Sequence, residues 1–166
     1  MHSEELNREF VRLKDAAYRY AVSLLHDHNE AADATQDCYE RLWRRRLIIR
    51  SKSFDSLVMV TIRNICLDRI RQRRRAWQPS SIEELESLPP SLGSAEQRES
   101  ADIIRRVMEN LPSREREVLH LRECEGMEFE DIARIVGSTE SAVRMACSRA
   151  RNRVKEEYIK IMNYGV

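Results

Sequence analysis

The sequence predicts an all-α protein: two small helical domains joined by a flexible acidic linker, the C-terminal one containing a helix-turn-helix. Three observations lead there. Apolar residues recur at i, i+3, i+4 and i+7 through most of the chain, with no alternating strand pattern and no internal repeat. Only four residues are glycine and 34% are charged, a helix-rich balance. Three of the four prolines fall within "QPSSIEELESLPPSLGSAEQ", among serines and acids that would not continue a helix. The 166 residues suffice for two small domains. We place them at 1–78 and 101–166, with the linker at 79–100.

The first helix carries Leu6, Phe10, Leu13, Ala17, Ala21 and Leu24 at helical spacing. "HDHNEAAD" breaks it. A second helix is expected over about 30–46 and, beyond the loop "IIRSKSFD", a third over about 56–75, with Val58, Ile62, Cys66 and Ile70 on its buried side. "ADIIRRVMENL" ends at Pro112, and Ser113 is placed to cap the helix of "SREREVLHLREC". Two further helices divide at Gly137. In the earlier one Phe129, Ile132, Ala133 and Val136 make an apolar stripe; in the later one Val143, Ala146, Cys147, Ala150 and Val154 do, and their small side chains let the two helices cross closely. Gly137 allows the sharp turn, and Ser138 or Thr139 can cap the later helix.

The formal charge of +1 conceals a segregation. Residues 1–40 sum to −5, residues 41–78 to +10 and residues 79–102 to −5, while Arg144 to Lys155 holds five positive charges and no negative one. Two basic stretches flanking an acidic one suit two nucleic-acid faces. Apolar runs such as "SLVMVTI" are too short for a membrane span, and "MHSEELNREF" lacks the form of a secretion signal, so the expected compartment is the cytoplasm. Cys38, Cys66, Cys124 and Cys147 form no CxxC pair and are expected as buried free thiols. "HDH" at His26–His28 has no second cluster to complete a metal site and is expected as a polar helix end. No cofactor, metal or catalytic residue is expected.

On the last helix the face opposite the apolar stripe offers Ser141, Arg144, Met145, Ser148 and Arg149, placed as in a helix-turn-helix to meet base edges, with basic residues further along for phosphates. On the second helix Asp33, Gln36, Asp37, Glu40 and Arg44 lie away from Thr35, Cys38, Tyr39 and Leu42. Such an acidic face suits either solvent or a basic protein partner.

The blocks "DATQDCYERLWRRR", "FDSLVMVTIRNICLDRIRQRRR" and "LPSREREVLHLRECEGMEFEDIARIVGSTESAVRMACSRAR" resemble, in order and spacing, the signature regions of bacterial sigma factors, in the short two-domain form of the extracytoplasmic-function group. The resemblance implies a non-catalytic promoter-specificity subunit. Asp33, Gln36, Asp37 and Glu40 would dock on core RNA polymerase. Thr61, Asn64, Asp68, Arg71 and Arg75 would face the minus-ten element as it melts. The helix-turn-helix would read the minus-thirty-five element of promoter DNA. The family also implies an anti-sigma factor as partner, and a connector that passes toward the RNA exit path of the polymerase. For the acidic linker both a solvated tether and a mimic of RNA in a basic channel fit. The sequence departs from the family pattern at Leu57, often Trp, at Val60, often basic, and at Met145 and Ala146, which replace Ser and a basic residue; this implies a promoter sequence of its own. A stand-alone repressor would leave the acidic face of the second helix unexplained, and an enzyme would need convergent carboxylates or histidines that the pattern does not offer.

Overall fold

The computed structural model describes residues 1–76 and 95–164, with side chains in the second stretch from residue 98. The linker expectation lies for the most part outside the described residues. Among those described there is no strand. Seven α-helices follow one another in the described residues: α1 (Ser3–Leu25), α2 (His28–Arg44), α3 (Phe54–Ala76), α4 (Ala95–Glu109), α5 (Ser113–Leu119), α6 (Phe129–Val136) and α7 (Glu140–Tyr164). Short 3-10 turns at Arg46–Ile48 and Ser51–Ser53 join α2 to α3, and a π-helical turn, His120–Cys124, extends α5. The chain divides into two compact units, the first holding α1–α3 and the second α4, α5, α7 and most of α6. None of the described helices is long and apolar enough to cross a membrane.

In the first unit α1, α2 and α3 pack mutually. Their apolar stripes meet in a core of Leu6, Phe10, Tyr20, Cys38, Leu42, Val58 and Ile62, each at most 8% exposed. Burying a side chain of this size stabilises by roughly 1.5–3 kcal/mol. Ile70, expected inside, is only half-buried, because at this level of α3 it is Arg69 and Arg73 that meet the start of α2 and the end of α1. The corner between α1 and α2 is built locally. His26 takes a left-handed conformation (φ 55°) and its N–H returns to Val22 O at 2.9 Å. Asp27 then caps α2 by accepting from Glu30 N at 2.8 Å, so the helix starts two residues earlier than expected. His28 Nδ1 lies 2.8 Å from the Tyr18 hydroxyl, so "HDH" serves the helix ends.

In the second unit α7 packs chiefly on α5 and then α4, so its small residues serve these contacts rather than a close crossing with α6. Val143, Ala146, Cys147 and Ala150 are buried as the stripe requires, and Val154 is half-buried. Pro112 takes the cap position of α5, without a side-chain bond; Ser113, expected as the cap, is already helical. Gly137 closes α6 at φ +66°, a region costly for residues with a Cβ, and Ser138 N reaches Ala133 O at 2.9 Å. Thr139 caps α7 by accepting from Ala142 N at 3.1 Å. Cys38, Cys66 and Cys147 are buried, but Cys124 is exposed, because the π turn rotates it off the stripe that ordinary helical spacing would give. Burial pushes the Cys38 and Cys66 thiols up to about 12, which leaves them inert at neutral pH.

Candidate nucleic-acid and protein-docking surfaces

The first unit presents two unlike surfaces on one helix. Along α2, Asp33, Gln36 and Glu40 are exposed, while Ala31, Ala34, Cys38 and Leu42 are buried. Asp37 is half-exposed and held by α3: its Oδ2 accepts from Arg69 at 2.7 Å, and Arg69 also donates to Glu30 O at 3.2 Å. Glu30 in turn pairs with Arg73. The acidic face is thus an exposed row of three polar residues beside one acid already committed to the fold.

At its C-terminal end α2 turns basic and meets α3 across a groove of about 630 Å³. One wall carries Arg41, Arg44, Arg45 and Arg50; the other carries Leu57, Thr61 and Asn64. The two 3-10 turns between α2 and α3 form the rim, and their backbone is pinned from outside. The Met1 amino group donates to Arg46 O at 2.9 Å and to Ile49 O at 3.2 Å. The Ser51 hydroxyl donates to Glu5 at 2.6 Å, and that bond holds the Glu5 carboxyl below its usual range. Arg46 stacks on Trp43 at 4.7 Å and donates to Trp43 O at 3.0 Å. Above this support Leu47 and Ile48 stand 82% and 80% exposed.

Of the α3 residues expected at the minus-ten element, Thr61 and Asn64 line the groove; Asp68, Arg71 and Arg75 continue the same face beyond it. Asp68 is paired with Arg71 at 2.9 Å, and the Thr61 hydroxyl donates to Leu57 O at 2.7 Å. The groove arginines were not identified from the sequence. The signal was present as a run of four arginines between 41 and 46, but α2 periodicity alone assigned Arg44 to the acidic face.

On α7, Ser141, Arg144, Met145, Ser148 and Arg149 are all exposed on one side, while Ala146 is buried. Arg144 is braced: its Nε and one terminal nitrogen donate to the same Glu140 oxygen at 3.0 and 2.6 Å, and its guanidinium lies 4.5 Å from the Phe129 ring centre. Arg149 and Arg153 both reach Glu115 at 3.1 Å, and Arg151 pairs with Glu123. Among the described residues no group of three or more His, Cys, Asp or Glu side chains is placed to hold a metal.

Two family models match the chain. Residues 10–76 match the family model "Sigma-70 region 2", and residues 101–154 match "Sigma-70, region 4". The chain is 30% identical over 156 residues to the RNA polymerase sigma-E factor of Streptomyces coelicolor, covering 91% of this chain and 85% of that one. It is 26% identical over 162 residues to the ECF RNA polymerase sigma factor SigE of Mycolicibacterium smegmatis, covering 95% of this chain but only 62% of the relative's length. Among solved structures it is similar to the sigma factor RpoE of Bartonella quintana, solved in complex with the anti-sigma factor NepR. The TM-score is 0.78 at 26% identity, over 95% of this chain and 98% of that one.

Proposed function

This chain belongs to the extracytoplasmic-function sigma factors of the sigma-70 family, and from that premise we propose that it is a non-catalytic specificity subunit. It binds core RNA polymerase in the cytoplasm and directs initiation at a restricted set of promoters. The observation that carries the reading is the division of α2. Its middle exposes Asp33, Gln36 and Glu40, a surface matched to a basic protein partner, and its end opens into the arginine-walled groove. One helix therefore couples polymerase to promoter. In the groove, cationic walls hold the backbone of an unwound strand, while Asn64 and the Thr61 hydroxyl offer hydrogen bonds to its bases. Unstacking costs a few kcal/mol per step, and such contacts recover it. On α7, Ser141, Arg144, Met145, Ser148 and Arg149 face the upstream duplex. Asp37 acts differently from its neighbours, by bracing α2 on α3 through Arg69. An anti-sigma factor that covers these faces is the regulator we propose, in line with the complex known for the Bartonella relative.

Capture of core RNA polymerase by the wild-type protein and by Asp33→Arg tests the reading. Capture should be lost in the variant while its helical content is kept. Undiminished capture by a folded Asp33→Arg would remove α2 from the docking surface.

A further inference from the structure

The bracing of Arg144 has a counterpart in Arg122. Both guanidinium groups lie over the one Phe129 ring, at 4.5 and 4.6 Å from its centre. Each also has its own carboxylate, Glu140 for Arg144 and Glu128 for Arg122 at 3.2 Å, and Arg122 donates further to Met127 O at 2.7 Å. An exposed arginine ordinarily samples many rotamers. Here the Phe129 ring lies against the Arg144 guanidinium, and Glu140 holds its inner edge. The pair is an i, i+4 step with the acid on the N-terminal side, the favourable order on a helix.

The donor count shows what remains. A guanidinium has five N–H groups. Glu140 takes the Nε hydrogen and one terminal hydrogen. The outer end of the fork is left with its parallel pair free. Two acceptors can meet such a pair: the O6 and N7 atoms of guanine, or two oxygens of a phosphate. A phosphate would have to approach a guanidinium whose charge is already balanced by the Glu140 carboxylate, 2.6 Å away, and would be repelled by that carboxylate. A neutral base edge meets no such penalty.

We propose that Glu140 and Phe129 are positioning residues that turn Arg144 into a guanine reader, so that the upstream promoter element carries a guanine under the start of α7. This rests on the reading that the α7 face meets promoter duplex. Glu140 has a second consequence: it subtracts one unit of positive charge from the DNA face, which weakens binding to arbitrary sequence.

The test is selection of promoters by reconstituted holoenzyme from a library randomised over the upstream element, with helical content and melting of each variant as the folding control. Wild type should enrich guanine at one position, and Arg144→Ala should lose that preference. Glu140→Gln and Phe129→Leu should flatten the guanine preference about tenfold, and Phe129→Tyr, which keeps the ring, should retain it. Glu140→Gln should also bind non-specific duplex more tightly, with a steeper salt dependence. A merely structural role would weaken all sequences alike and leave the guanine ratio unmoved. If Glu140→Gln and Phe129→Leu keep the preference that Arg144→Ala loses, the positioning inference is overturned and the role of α7 stands. If Arg144→Ala selects the same promoters as wild type, the reading of the α7 face fails, and the inference with it.

Discussion

The groove of the first unit and α7 of the second are both rich in arginine, yet they hold their charge in opposite ways. Arg41, Arg45 and Arg50 line the groove without an ion pair among the described residues, and Arg44 has only a 3.5 Å contact with Glu40. On α7, Arg144, Arg149, Arg151 and Arg153 are each matched by a carboxylate of the same unit. Free cations beside a groove attract phosphates of any sequence, release counterions and make binding steep in salt. Cations held by acids bring little net charge and a fixed geometry, which suits discrimination more than affinity. A chain of net charge +1 thus keeps a strong local field along the groove and suppresses it along α7, as the proposed division between gripping a strand and reading a sequence requires.

The largest expected effect is at the groove. Reversing Arg45 and Arg50 together to glutamate should lower holoenzyme affinity for a pre-melted promoter by at least about a hundredfold. The milder double alanine variant should reduce the slope of log affinity against log salt by about 1.4, roughly 0.7 for each single-strand phosphate no longer neutralised. A salt titration of fluorescence anisotropy measures both. A slope equal to wild type in the alanine variant would show that these arginines do not touch phosphate, and the contrast with α7 would collapse.

The second unit also encloses a titratable ring. His120, 8% exposed in the π turn, lies 3.2 Å from Glu125 through Nε2. Burial disfavours the charged ring, but the Cys124 and Glu125 side chains beside it outweigh burial and raise its pKa from 6.5 to about 9. The folded state therefore holds a proton that the unfolded chain releases. The stabilisation is fully present below pH 6.5 and is lost as pH rises from there through about 9, on the order of 3 kcal/mol in all. Denaturant melts across this window should show the second unit weakening, and His120→Gln should remove most of the slope. A wild-type stability flat between pH 6.5 and 9 would mean the buried histidine is neutral.

How much of the molecule is legible in its sequence depends on the range of each interaction. Helices α1, α2, α3 and α7 were legible because their apolar side chains repeat about every 3.6 residues, a property of neighbours in the chain. The exposed row Asp33, Gln36 and Glu40 and the α7 face were legible for the same reason. The brace on Arg144 was half-legible: Glu140 stands four residues earlier on the same helix, whereas Phe129 reaches it across a turn. The pairing of Asp37 with Arg69 spans 32 residues and that of Arg149 with Glu115 spans 34, so neither leaves a local trace. The groove wall depends on two 3-10 turns folding Arg45 and Arg50 back toward α3. The π turn that exposes Cys124 shifts the helical register by one residue, a change that apolar spacing does not announce.

The smallest change in stability should come from making the second unit resemble the first. Glu115 is 5% exposed and receives Arg149 and Arg153, each at 3.1 Å. Because both arginines are half in water, Glu115→Gln should cost only about 1 kcal/mol of stability, well below the roughly 3–5 kcal/mol of a fully buried pair. The arginines it releases would then be free to reach phosphates. Binding of the isolated protein to arbitrary duplex should tighten, and its salt slope should steepen by up to about 1.8. Promoter discrimination should fall, because affinity for wrong sequences rises while the bracing of Arg144 is untouched. Stability and duplex titrations on the same preparation separate the two consequences. Loss of stability without a steeper slope would show that Glu115 only anchors α7 on α5, and that the balance of charge on this helix serves the fold rather than the reading of DNA.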